Sequence, residues 1–201
     1  MTVEFGSVQI RLTFPFVLVI SLMLVLCRQD IVIMSFVASL LHEAGHLFFM
    51  YAYGEKILSV CFGAFGVRID KASSSLISYK AEVFIALGGI IVNFLLAFLS
   101  IMYYYLMKSQ SALTFSLINT LIAIFNCIPL YVLDMGRAVK GLLLMRYDEE
   151  KSEKLLRIIS VIFVNLLAAG CCIYSAFIGV NVSLIAVTVY LYVITLFKKW
   201  S

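Results

Sequence analysis

The stretch that decides the fold is IVIMSFVASLLHEAGHLFFMYAY, residues 31–53. It is long and apolar enough to cross a bilayer core of about 30 Å as a helix, yet His42, Glu43 and His46 interrupt it. These two histidines are the chain's whole complement. Their spacing of four puts both imidazoles on one helical face, as a shared metal ion requires, and Glu43 completes an HExxH motif. A carboxylate and two imidazoles inside an apolar run are costly unless paired, hydrated or metal-bound, so they mark a functional site by default.

The surrounding sequence explains the setting. Of the 201 residues, 64% are hydrophobic and only 13% are charged, against about 25% in soluble domains; the mean hydropathy is +1.10. This excludes an ordinary soluble domain and predicts an all-α polytopic membrane protein. Six spans are expected, at about 12–27, 31–53, 79–107, 111–133, 158–178 and 180–197, forming a single membrane domain over 1–201 with a catalytic core at about 31–137. The first apolar run ends in Val25-Leu26-Cys27-Arg28 without the small residues of a cleavage site, so it reads as a retained span.

With six spans, Arg11, Lys56, Arg68, Lys71, Lys80, Arg137, Lys140, Arg146, Lys151, Lys154, Arg157, Lys198 and Lys199 share the side of both termini, and only Arg28 and Lys108 lie opposite. That asymmetry predicts cytoplasmic termini. Basic loops beside anionic lipid account for the net charge of +4, so no nucleic-acid partner is expected. The five cysteines lack paired spacing and read as small apolar residues.

Polar and small residues align on two spans. Ser35, Ser39, His42 and His46 share a face with Ala38 and Gly45 beside them, and Glu82, Ala86, Gly89, Asn93, Ala97 and Ser100 form a similar stripe on the third span. Such stripes let helices approach closely and give buried polar atoms partners. A hydrolytic zinc site usually has three protein ligands. The third must be a carboxylate near a span, either Glu82 or Asp134, and Pro129 provides a bend that could carry Asp134 inward. Segment 56–70 has strand-like composition and predicts a membrane-associated β hairpin or re-entrant segment between the second and third spans, open to edge addition. Segment 137–157 mixes both charge signs and reads as an interfacial helix, with docking of a substrate or regulator as its functional reading.

His42-Glu43-Ala44-Gly45-His46, followed by Asn126-x-x-Pro129-x-x-x-Leu133-Asp134-x-Gly136-Arg137, resembles the site-2 protease family of intramembrane metalloproteases. The resemblance implies that His42, His46 and Asp134 bind Zn2+, that Glu43 is the catalytic carboxylate, and that Gly89 and Asn93 match a GxxxN element that helps hold substrate. Asn126 is a further candidate substrate contact, and Asn93 and Asn126 are candidate oxyanion donors. The six-span layout is similar to the branch that contains the sporulation factor FB. The chain departs from that branch in lacking a C-terminal CBS domain, in Met135 where the motif has its first glycine, and in Ile90 where a proline often stands. The expected function is a zinc metalloendopeptidase of the cell membrane that cuts membrane-anchored proteins near the cytoplasmic leaflet, for example a pro-sigma or anti-sigma factor. A regulatory membrane protein is a further candidate partner. A catalytically silent scaffold of the same fold and a metal transporter are the alternatives; Glu43 argues against simple metal transit.

Overall fold

Local sequence signals set the limits of each helix. The structure, a computed structural model, describes residues 2–5, 8–27, 29–55, 57–63, 66–71 and 78–197. In chain order it has β1 (Thr2–Phe5), β2 (Val8–Leu12), α1 (Phe14–Leu26), α2 (Gln29–Ala52), β3 (Ile57–Gly63), β4 (Gly66–Lys71), α3 (Tyr79–Met107), α4 (Gln110–Asn126), α5 (Asp134–Leu144), α6 (Glu149–Phe177) and α7 (Val182–Phe197). Pro15 in the first turn of α1 needs no backbone donor there. Ser78 caps α3 by accepting from the Ala81 N–H at 3.3 Å, and Lys108 ends the helix in a left-handed conformation. Glu149 and Glu150 sit in the first turn of α6, where the helix dipole favours negative charge.

The chain is mostly helical and belongs in a membrane. Among the described residues α2, α3 and α6 are long and apolar enough to cross one. Their outward side chains are large and apolar, including Phe94, Phe98 and Leu106 on α3 and Ile162, Leu166 and Ile173 on α6. The helices at the first, fourth and sixth expected spans are shorter, at 13, 17 and 16 residues. Two expected boundaries move. The span expected at 111–133 ends at Asn126, because Pro129 lacks a backbone donor and biases the residue before it away from helix. The helix expected over 137–157 is broken at 145–148, which leaves α5 and the start of α6 as separate pieces.

The chain also carries a four-stranded sheet, so it is not purely helical. Its order is β1-β2-β3-β4. β3 and β4 pair antiparallel from Ile57↔Lys71 to Gly63↔Gly66, with an irregularity between Ile57 and Ser59. β2 adds parallel to β3, from Gln9↔Ser59 to Leu12↔Phe62, and β1 pairs antiparallel with β2. The first twelve residues, which alternate apolar and polar side chains, are the part that span counting overlooked. The connection joining 63 to 66, and Arg28, Lys56, Lys198 and Lys199 from the charge asymmetry, lie outside the described residues.

α3 is the central helix and packs against α2, α4 and α5, while α6 packs on α7 and α5. A Cβ on Gly45 would lie 2.5 Å from the Gly88 carbonyl oxygen, and one on Gly88 would lie 2.7 Å from that of Gly45. Backbone therefore meets backbone where α2 crosses α3, the contact that small residues make possible in membranes. We expect Gly88→Val to lower stability by about 1–3 kcal/mol through overpacking. Gly170→Ala, where nothing lies within 4 Å, should raise it by about 0.5–1 kcal/mol. Thermal or denaturant unfolding of the detergent-solubilised chain measures both.

Candidate metal centre

The crossing of α2 and α3 positions two imidazoles, and the first turn of α5, after the loop that follows α4, supplies a carboxylate. His42 and His46 stand one turn apart on the buried face of α2, with rings edge to face at 4.9 Å between centroids. His46 uses Nδ1 to donate to the Ile85 carbonyl oxygen of α3 at 2.7 Å. His42 Nδ1 lies 2.7 Å from Asn93 Oδ1, also on α3. Asn93 Nδ2 in turn donates to Asn119 Oδ1 of α4 at 3.0 Å, and Asn119 Nδ2 donates to the Phe115 carbonyl oxygen at 2.8 Å. Both histidines therefore turn Nε2 toward the same point.

Asp134 faces that point from α5. Its Oδ2 is 2.8 Å from His42 Nε2 and 3.2 Å from His46 Nε2, and the two Nε2 atoms are 3.2 Å apart. Its other oxygen, Oδ1, lies 3.8 Å from the Arg137 guanidinium. Asp134 occupies the first turn of α5, where the unpaired N–H groups and helix dipole favour a negative charge. His42, His46 and Asp134 are all buried and form the metal-capable group of His, Cys, Asp and Glu side chains among the described residues. The donor set fits zinc. Two imidazole nitrogens and a carboxylate oxygen are ordinary zinc ligands, and their spacings approach the edge of about 3.3 Å expected of a tetrahedron with bonds near 2.0 Å. Glu43, half-buried, is within electrostatic reach of both imidazoles, Asp134 and Arg137.

The loop that carries Asp134 is held on its far side. Leu130 is fully buried against Val164 of α6 and Leu191 of α7. The Tyr131 N–H donates to Ser160 Oγ at 3.2 Å, and the Tyr131 hydroxyl donates to the Ile194 carbonyl oxygen at 3.2 Å. The loop folds so tightly over α5 that a Cβ on Gly136 would collide with the Leu130 carbonyl. Position 136 thus requires glycine. Met135 has no such constraint: its side chain packs on the cluster of Val83, Ala86 and Ala138, and Lys108 is the non-glycine residue with positive φ among the described ones.

Other sequence candidates have different surroundings. Glu82 is exposed, in the first turn of α3, and does not join the histidines, so the alternative that made it the third ligand fails on position. Gly89 touches the imidazoles themselves: a Cβ there would lie 2.6 Å from His42 Nε2 and from His46 Nε2. Both ends of the Asn93 amide are engaged, so its observed partners are His42 and Asn119 instead of an open groove. Asn126 donates to the Ile122 carbonyl oxygen of its own helix at 3.0 Å. Sequence reasoning missed Asn119, although Ser116, Asn119 and Ala123 form a buried small and polar stripe of the kind read on α3. It also missed the Ile85 carbonyl, which no side-chain pattern announces. Beside the centre lies a cavity of about 370 Å³ bordered by Ile85, Arg137, Tyr79 and Lys140.

The fold is of the site-2 protease type, and in this chain an HExxH helix packs on the central helix while an aspartate stands at the start of α5. No family model matches the chain. It is similar to a zinc metalloprotease of Methanocaldococcus jannaschii, with 29% identity over 161 residues that cover 74% of this chain and 46% of that protein. The chain thus spans less than half the length of this relative. The Site-2 Protease from Methanocaldococcus jannaschii has the same fold, with a TM-score of 0.66 and 23% identity over 97% of this chain and 93% of that one. Sequence and fold agree with the resemblance carried by the two motifs.

The geometry generates a direct test. Elemental analysis of the purified chain should give about one zinc per molecule. Asp134→Ala and Gly89→Ala should lose it with helix content retained, whereas Glu82→Ala should keep it.

Proposed function

We propose that the chain is a zinc intramembrane endopeptidase that hydrolyses membrane-anchored protein substrates within or near the cytoplasmic leaflet. The observation that carries this reading is the convergence of His42 Nε2, His46 Nε2 and Asp134 Oδ2 within 3.2 Å of one another, with Glu43 next to His42 on the same helix. The names of the similar proteins, a zinc metalloprotease and a site-2 protease, support it.

His42, His46 and Asp134 hold the metal in this reading. Zinc supplies Lewis acidity to such a site. Glu43 takes a proton from the attacking water as its oxygen bonds to the scissile carbonyl carbon, then delivers that proton to the amine nitrogen as the C–N bond breaks. Arg137, half-exposed beside Asp134 Oδ1 and bordering the cavity, holds the aspartate oriented while leaving its Oδ2 to the centre. A peptide bond inside a helix is shielded, so the substrate must be unwound. Among the described residues β4 is an edge strand, which suits an extended substrate segment added as a further strand.

The membrane arrangement belongs to the same proposal. The chain acts as one multi-pass domain with both termini in the cytoplasm, and the shorter α1, α4 and α7 complete six crossings with α2, α3 and α6. Substrates of the pro-sigma or anti-sigma type suit such an enzyme, and a membrane protein docked on the charged α5–α6 corner, where Lys140 meets Glu153 at 2.7 Å, suits its regulation. The silent-scaffold alternative drew on Met135, whose side chain packs on the cluster of Val83, Ala86 and Ala138.

Glu43→Gln should retain zinc and fold yet lower cleavage of a co-expressed membrane-anchored substrate by about 10²–10⁴-fold. Undiminished cleavage in that variant would overturn the assignment.

A further inference from the structure

We infer that Asn119, on a helix that supplies no ligand, is a positioning residue that selects the tautomer of His42 by way of Asn93. The inference rests on the metal-site reading above and concerns how this chain prepares the site.

The chain of bonds has one fixed end. The Phe115 carbonyl can only accept, so the Asn119 atom 2.8 Å from it is the amide nitrogen. The Asn119 oxygen therefore faces Asn93, and the atom it meets at 3.0 Å is the Asn93 nitrogen. That turns the Asn93 oxygen toward His42 Nδ1 at 2.7 Å, and an oxygen acceptor there requires a proton on Nδ1. In the neutral ring the lone pair is then on Nε2, the atom facing Asp134 and His46. Asn93 and Asn119 are fully buried, so water does not compete for these bonds.

The two histidines differ in how this choice is made. His46 Nδ1 donates straight to the Ile85 backbone carbonyl, which cannot reverse. His42 relies on two side-chain amides, each of which could rotate by half a turn and exchange its oxygen for its nitrogen. Without Asn119 the Asn93 amide loses the acceptor that sets its direction. Rotated, it would offer N–H to His42 Nδ1, move the ring proton to Nε2 and remove the lone pair that a metal needs.

A double-mutant cycle on the full chain in detergent tests this, with zinc affinity measured by chelator competition. Asn119→Leu should weaken zinc binding by about 10- to 100-fold, the usual cost of losing a partner behind a ligand. Asn93→Asp replaces the amide with a carboxylate that can only accept, so it should no longer need Asn119. Adding Asn119→Leu to that background should change affinity by no more than about twofold. Equal losses in both backgrounds, or no loss from Asn119→Leu alone, would overturn the inference. A wild-type chain that binds no zinc would instead overturn the metal-site reading beneath it.

A second readout needs neither metal nor activity. With only two histidines in the chain, the 15N spectrum of the metal-free Asp134→Ala protein, in which no carboxylate faces His42 Nε2, should show His42 as the Nδ1–H tautomer, and a mixture with Nε2–H once Asn119→Leu is added. An unchanged spectrum in the variant would refute the relay even where Asn93→Asp failed to fold.

Discussion

The site depends on the contact between two bare stretches of backbone. Where α2 crosses α3, Gly45 lies against Gly88, and Gly89 leaves the space that the His42 and His46 rings occupy. In a bilayer no hydrophobic force drives one apolar helix onto another, so close packing and buried hydrogen bonds must hold them. The glycines provide the first of these and thereby permit the second: at this distance Asn93 and the Ile85 carbonyl come within hydrogen-bond reach of the imidazoles. Wider separation would leave two polar rings in a low-dielectric interior without partners, a costly state.

Around that contact the polar groups are satisfied in layers. Asn93 and Asn119 link α3 to α4, and the Ser116 hydroxyl donates to the Ala97 carbonyl oxygen at 2.8 Å between the same helices. Asp134 connects α5 to α2. The loop before Asp134 is fastened by Leu130 and Tyr131 to α6 and α7. Asp134 consequently takes its position from helices that, among the described residues, contribute no other side chain to the group of His42, His46 and Asp134, which ties the C-terminal pair to the site despite its distance in sequence.

Much of this was legible in advance, for identifiable reasons. Two histidines four apart in an apolar run have few uses, and Asp134 is marked by its motif. The long apolar runs of α2, α3 and α6 are visible in composition alone. The sheet was legible only in the strand-like composition of 56–70, because β1 and β2 are short and precede an apolar helix that dominates any averaged reading. The choice between Glu82 and Asp134 could not be made from depth in the membrane; the motif resemblance pointed to Asp134, and the turn after Pro129 brings that residue to the two histidines. Met135 looked like a defect because a motif does not say which of its glycines is sterically required, and the backbone assigns that need to Gly136.

The parallel pairing of β2 with β3 has a mechanical consequence. A parallel pair needs a crossover connection, and here the crossover is the helical hairpin of α1 and α2. The strands on either side of that hairpin are thus joined in one sheet, which limits how far α2 can move along its axis. His46 stands six residues before Ala52, the last residue of α2, which sets it about 9 Å along the helix from that end. The sheet therefore works as a spacer that keeps His42 and His46 at a constant distance along α2 from the strands.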